Sequence, residues 1–462
     1  MGKILGTIVW SVFLAAAAGT LRANSGSLAA LPAPPVKRSG VPADGGLTCA
    51  ACHASLGPAN SDTRGKLKVA AASYQPGVKQ KIRVEIQHPE ARRWGFQLTA
   101  RLASDESKMA GSFTADDNVQ VRCDDGQVRG APAPCAPGLL QFASHTAAST
   151  RAGVTGGVVW EVEWTPPESD VGDVVFYAAG NAANFSADNT GDSVYTAVRR
   201  ISGPCGLSGR PVISGVGNAA SYATGQITTN GLVTIVGSNF LPRGMRRLLH
   251  PGDFDDGLFP KELSCLAVEI NGVRAPIAYV DSGQVNVQTP SITVLGPVPV
   301  RVIANPGRSN ELRSEAATVN MVNYAPGLFQ FPGTSNIAAH VADGSAYIGP
   351  TTVAPNARAA RPGEVITVYG TGFNATEPFY QAGELVPLDE RARIRDRFTI
   401  LVGGAALAAG DILYAGLAPG AISGLYQFNI RIPASASDGE VPVVIEIGGQ
   451  RTQPGVTIPV RR

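Results

Sequence analysis

From Lys66 onward, apolar and polar residues alternate in short runs. Residues 79–87 read KQKIRVEIQ, 95–102 GFQLTARL, 158–164 VVWEVEW and 174–178 VVFYA. A period of two puts every apolar residue on one face of a strand, which predicts half-buried antiparallel sheets. Clusters such as Gln75-Pro76-Gly77 and Pro166-Pro167 divide the runs where the chain must turn. No stretch of this region keeps a helical period. Trp94, Trp160 and Trp164 fall on the alternation, so they are expected in a core or on a sheet face and not as a stacking platform for sugars. The pattern predicts a β-sandwich over 41–202, followed by a short linker at 203–209.

The second half states one theme twice. GLVTIVGSNF (231–240) is echoed by GEVITVYGTGF (363–373), and VEINGVRAPIAYV (268–280) by ILVGGAALAAGDILYAG (400–416). QVNVQTP (284–290) then corresponds to QFNIRIP (427–433), and VPVRVIANPGRSN (298–310) to VPVVIEIGGQRTQ (441–453). Self-similarity on this scale marks a duplicated structural unit. The offset grows from 132 residues (231 to 363) to 143 (284 to 427), placing an insertion in the Gly-rich loop 416–426. Two β domains are expected, at 210–325 and 326–462. The fold class is therefore all-β: three tandem β-sandwich, immunoglobulin-like domains. The polar stretch 245–265 (MRRLLHPGDFDDGLFPKELSC) is expected as a loop between two strands.

The N-terminus differs from everything after it. Lys3 precedes an apolar run from Ile4 to Ala18, shorter than the roughly 20 residues that span a bilayer. That layout predicts a signal peptide over 1–23 and hence export. No Cys follows the run closely, and no later stretch is long and apolar enough to cross a membrane. A Pro- and Ala-rich flexible lead-in is expected over 24–40. With 54 Gly, 34 Pro and only 16% charged residues, the chain is turn-rich and electrostatically bland. A net charge of +2 on 462 residues leaves no footprint for nucleic acid or anionic lipid.

One segment offers chemistry. Cys49-Ala50-Ala51-Cys52-His53 is the c-type haem attachment pattern, in which two thiols add to the vinyl groups and the histidine supplies an axial nitrogen. A local Cys49–Cys52 disulfide and a metal or redox use compete with that reading. Zinc lacks a second Cys pair at ligand spacing. If haem binds, Met109, His88 and His145 are the candidates for the sixth position. For the other cysteines, pairing is the default in an exported protein, and the simplest scheme is Cys123 with Cys135 and Cys205 with Cys265. Asp188, Asn189 and Asp192, with Asp116 and Asp117, have the oxygen chemistry calcium prefers, without EF-hand spacing. No G-x-S-x-G elbow, H-E-x-x-H helix or P-loop occurs, and His250 and His340 stand alone. An enzyme is not expected.

At YQPG (74–77), WGFQLTA (94–100), WTPP (164–167) and FYAAGNAANFSADNTGDSVYT (176–196), with TCxxCH before the first strand, the N-terminal half resembles reelin-like domains of the bacterial "choice-of-anchor V" variety. Through NAASY (218–222), YAPGLF (324–329), YAGLAPG (414–420) and GLYQFNIRIP (424–433), the duplicated half resembles an uncharacterised C-terminal domain family of secreted acidobacterial proteins, and its phrases are similar to the immunoglobulin-like IPT/TIG fold. These resemblances imply extracellular β-sandwiches and bring no reaction with them. The expectation is an exported surface or matrix protein that binds or displays, secreted or on the outer surface or in the periplasm, with an extracellular protein or polysaccharide as partner. The alternative is an extracellular c-type haem protein using Cys49, Cys52 and His53.

Overall fold

The computed structural model describes residues 34–53, 56–186 and 188–462. The expected signal peptide and residues 24–33 of the lead-in lie outside them. No helix among the described residues is long and apolar enough to cross a membrane. The chain forms two compact units, one ending at Cys205 and taking in His250–Asp256, the other made of Gly206–Leu249 and Gly257–Arg462. Strands dominate both, and the all-β expectation holds.

The first unit is a sandwich of eleven strands: β1 (Lys66–Ala70), β2 (Gln80–His88), β3 (Arg93–Leu102), β4 (Asp105–Met109), β5 (Ser112–Phe113), β6 (Val119–Cys123), β7 (Ala131–Pro132), β8 (Gln141–His145), β9 (Gly156–Thr165), β10 (Val174–Ala183) and β11 (Ser193–Ile201). One sheet runs β1-β2-β9-β5, the other β11-β10-β3-β8-β6-β7 with β4 beside β3. The alternation read from the sequence points Ile82, Val84 and Ile86 of β2, and Trp160 and Trp164 of β9, inward against Phe96, Leu98 and Phe176. Phe96 packs at a tilt on Trp160 with ring centres 4.8 Å apart, and Trp164 meets Phe176 edge-on at 4.9 Å. The three indole N–H groups donate to backbone carbonyls of Val154, Ser149 and Ala110, so these tryptophans are core residues with no unsatisfied donor.

β3 and β10 are also buried on the face away from that core. The cover is the segment 34–48. Residues 34–40, assigned to the flexible lead-in by composition, are held down here: Gln97 of β3 accepts from the Arg38 backbone N–H (2.5 Å) and donates to the Pro35 carbonyl (2.9 Å). Val41 packs on Val175 and Tyr177. Arg101 of β3 lies fully buried beneath, its guanidinium 2.5 Å from Asp44 Oδ2 and donating also to the Glu106 carbonyl and Thr99 Oγ1. A charge taken that far out of water persists only because each fork of the guanidinium has a partner.

In the second unit each phrase of the duplication forms equivalent strands. Leu232–Ser238 pairs with Gln284–Gln288 as Val365–Thr371 pairs with Tyr426–Arg431, and Leu266–Ile270 pairs with Gly296–Ala304 as Phe398–Val402 pairs with Gly439–Ile447. Two cores result, one from Val216 to Met321 and one from Leu328 to Val460. The insertion falls between Ile412–Leu417 and Tyr426–Arg431, as the offset predicts.

Polar side chains fuse the two repeats. Gln288 is fully buried; its amide donates to the Asn230 carbonyl (3.0 Å) and Ser423 Oγ (3.1 Å) and accepts from Gly383 N–H (2.7 Å). Thr371 Oγ1 accepts from Leu232 N–H (2.9 Å) and donates to the Gly424 carbonyl (2.8 Å). A Cβ on Gly424 would sit 2.4 Å from the Asn230 carbonyl oxygen, so only glycine allows this approach.

Two stability outcomes are expected. Asp44→Ala strands the buried Arg101 charge and costs the first unit about 3 kcal/mol in denaturant melts. Gln288→Ala orphans several buried polar groups and destabilises the second unit by about 3 kcal/mol; a change under about 1 kcal/mol would show that the contact between the repeats does not depend on it.

Candidate functional site

The Cys-x-x-Cys-His segment follows directly from the covering segment. Cys49–Ala51 form one 3-10 turn, capped by Thr48, whose Oγ1 accepts from Ala50 N–H (3.1 Å). Both cysteines carry free thiols and are half-buried. Burial pushes the Cys49 thiol up to about 12, so it is not a reactive thiolate at neutral pH.

His53 lies over the end of β10 and the loop that leads from it into β11. Its Nδ1 is 2.7 Å from Asp192 Oδ2, and the Asp192 side chain is only 1% exposed. The same carboxylate accepts from Asn181 Nδ2 (3.1 Å) and the Asn184 backbone N–H (3.2 Å). An ionised carboxylate can only accept, so the 2.7 Å contact is made by a proton on Nδ1, which also lies 3.2 Å from Asn181 Nδ2. Asn181 Oδ1 is buried beside this pair without a partner. Asn189 ties the loop to the turn through Nδ2 and the Cys52 carbonyl (2.5 Å).

Of the sixth-ligand candidates, the fold separates three. Asn181 is paired with Gly95 on β3, whereas Met109 is paired with Arg101, six residues further along the same strand. At about 3.4 Å per residue that is roughly 20 Å, too far for Met109 to share a metal with His53. His88 is used up: Nδ1 accepts from Ala91 N–H (3.0 Å) and Nε2 reaches Asp62 Oδ2 (3.0 Å). His145 lies against Gly95 and so at the correct end of the sheet, but its Nδ1 is engaged by the Phe96 backbone, 2.9 Å from the nitrogen and 3.2 Å from the carbonyl oxygen.

The calcium candidates do not act together. Asp188 Oδ1 accepts from Thr190 N–H (2.8 Å), Thr190 Oγ1 (2.6 Å) and Ser186 Oγ (2.9 Å), and these bonds, led by the Thr190 hydroxyl, hold its carboxyl below the usual range. Asp192 is committed to His53 and Asn189 to Cys52. Asp116 caps its own turn at Asn118 and Val119 N–H. Cys123 and Cys135 are joined, and Cys205 and Cys265 are both disulfide-bonded.

The sequence pointed to His53 but not to its partners. Asp192 is 139 residues away and carries no motif with it, and Asn181 is one outward residue of an ordinary strand. Burial lowers the His145 pKa, with Arg93 and His53 adding to the effect against the Phe96 backbone bond. The unfolded chain therefore takes up that proton more readily, and stability is lost as pH falls through the ordinary histidine value of 6.5. Thermal melts of the first unit's transition should drop between pH 7.5 and 5.5, about the free histidine pKa, and drop less in His145→Gln.

Residues 48–182 match the family model of the Reeler domain, and residues 211–317 that of the IPT/TIG domain. Among solved structures, the reeler domain of human F-spondin is 18% identical, covering 30% of this chain and 88% of that one, with a TM-score of 0.20. The seventh ScaB type I cohesin from Pseudobacteroides cellulosolvens is 9% identical over 30% of this chain and 92% of that one, at 0.19. The C-terminal domain of the Streptococcus pyogenes antigen I/II-family protein AspA is 10% identical over 56% and 99%, at 0.18. Scores this low carry no argument. No curated protein sequence matches at a significant level. The two family matches agree with the strand patterns on which the resemblances rest: the chain carries a match to the Reeler domain followed by a match to the IPT/TIG domain.

Proposed function

We propose that this protein is exported and works by binding, as a surface or matrix component that recognises an extracellular protein or polysaccharide. The observation that carries this reading is the joining of a Reeler domain to an IPT/TIG domain in one chain. The second unit supports it, because the Gln288 and Thr371 contacts hold its two repeats as one stiff body able to present a surface in fixed geometry. Purified protein should bind saturably to envelope or matrix material and leave a panel of polysaccharides and peptides uncleaved. Steady turnover of any panel member would overturn the reading.

A second reading rests on His53. The residues fit a covalently attached haem: two unoxidised thiols on one turn, a histidine whose Nδ1 is held by Asp192, and the orphaned Asn181 Oδ1 beside it. Such a group would supply one-electron chemistry or a ligand-binding iron. Cys49 and Cys52 would hold it, and Asp192 would orient His53 so that Nε2 faces outward as the donor. Expression in a periplasm with haem-maturation machinery should give a Soret band and haem that stays attached through denaturing electrophoresis. In that protein, Asp192→Asn should raise the reduction potential by removing negative charge from the imidazole. Colourless protein would sink this reading.

A further inference from the structure

The segment 390–398, ERARIRDRF, buries Ala392 and Ile394 and leaves Arg391, Arg393, Arg395 and Arg397 exposed. Strand covers Arg393–Ile394 and the chain bends at Asp396, so Arg391 and Arg393 form a short row about 7 Å apart at one edge of the second repeat, while Arg395, paired with Asp396 (3.3 Å), and Arg397 lie at and beyond the bend. Arg393 is paired across the sheet with Gly416, and Gly416 in turn with Gln427. Gly416 adds no side chain to that row, and a Cβ there would strike the Ala392 carbonyl oxygen at 2.1 Å and the Tyr414 hydroxyl at 2.7 Å. A trough of about 430 Å³ results, lined by Arg391, Arg393, Gln427, Asn429, Leu388 and Pro419. Tyr414 lies under it, its hydroxyl donating to the Leu417 carbonyl (2.6 Å) and its ring 5.4 Å from the Arg393 guanidinium carbon.

The polar groups here are held in place but not satisfied. Arg391 donates through Nη1 to the Leu388 and Glu390 carbonyls (3.2 and 2.8 Å). Acids are near: Glu390 accepts from the Arg391 backbone N–H, Glu377 is the register partner of Arg393, and Asp411 pairs with Arg431. Even so, Arg391 and Arg393 form no ion pair among the described residues. Asn429 Oδ1 accepts from Gln427 Nε2 (2.9 Å) and Thr367 Oγ1 (3.1 Å), which turns Gln427 Oε1 and Asn429 Nδ2 outward as an acceptor and a donor.

We propose that this trough binds the carboxylate groups of an acidic polysaccharide, a proposal that rests on the binding role above and names the ligand class. Two guanidinium forks match planar carboxylates, and the outward amide atoms pair with sugar hydroxyls. Exposed Leu388 and the partly exposed Pro419 contact the apolar faces of sugar rings. Exposed Arg395 and Arg397 follow in the chain and add positive charge beyond the trough, which suits a charged polymer over a single small anion. The near-zero net charge argues against nucleic acid as the occupant.

The test is titration of the full chain with polygalacturonate, with neutral dextran and with duplex DNA, comparing wild type, Arg391→Ala/Arg393→Ala and Arg243→Ala/Lys261→Ala, which removes the same charge from exposed positions elsewhere. Expected are polygalacturonate binding, none to dextran or DNA, and an affinity loss of about tenfold or more confined to the first double variant. All replaced side chains are exposed, so circular dichroism should report unchanged folding. Equal losses in both double variants would mean unspecific attraction and overturn the site. Binding of DNA as tight as that of polygalacturonate would overturn the ligand class. Absence of polygalacturonate binding would overturn the proposal while leaving the broader binding role to stand or fall on other extracellular material.

Discussion

A polar group withdrawn from water must find partners inside the protein, and both units are organised by that constraint. In the second unit its sharpest expression is the Gln288 amide, fully enclosed and bonded to Asn230, Ser423 and Gly383. Ser423 belongs to the loop inserted in the second repeat. The insertion is thus anchored by the same contact that joins the repeats, and the trough lined by Pro419 inherits its position from that anchor. A loop of this length left free would have exposed its backbone and adopted many shapes.

The first unit obeys the same rule on the outside of a sheet. Gln97 and Arg101 point away from the tryptophan core and would be surface residues, but the segment 34–48 lies over them and supplies the Pro35 carbonyl and the Asp44 carboxylate. Because Cys49, Cys52 and His53 follow that segment without a break, its seating delivers His53 to Asp192 and Asn181. The candidate chemistry is therefore a consequence of how the sheet is covered.

These arrangements bear on function by making surfaces rigid. Two repeats locked through satisfied polar contacts hold their surface side chains at constant spacing, which would lower the entropy lost by a ligand held at several points. The same reasoning applies to His53, whose ring is oriented before any ligand arrives. Binding proteins benefit from such preorganisation without any catalytic group.

Much of the architecture was legible because strands of a sandwich obey a period of two, and QVNVQTP or VVWEVEW announce it within a few residues. The duplication, the place of the insertion and the core position of Trp94, Trp160 and Trp164 follow from the same local signal. Of the candidate site, Cys49, Cys52 and His53 were legible because they form a contiguous motif. Asp192 looked like a calcium ligand and Met109 like an axial ligand, since composition records what an atom can do and not where it lies. Only the fold decided that Asp192 meets His53 across 139 residues, that Met109 lies at the far end of β3, and that residues 34–40 are seated instead of loose. The physical reason is that alternation is written in neighbours along the chain, whereas pairing a buried polar group depends on which distant segment folds over it.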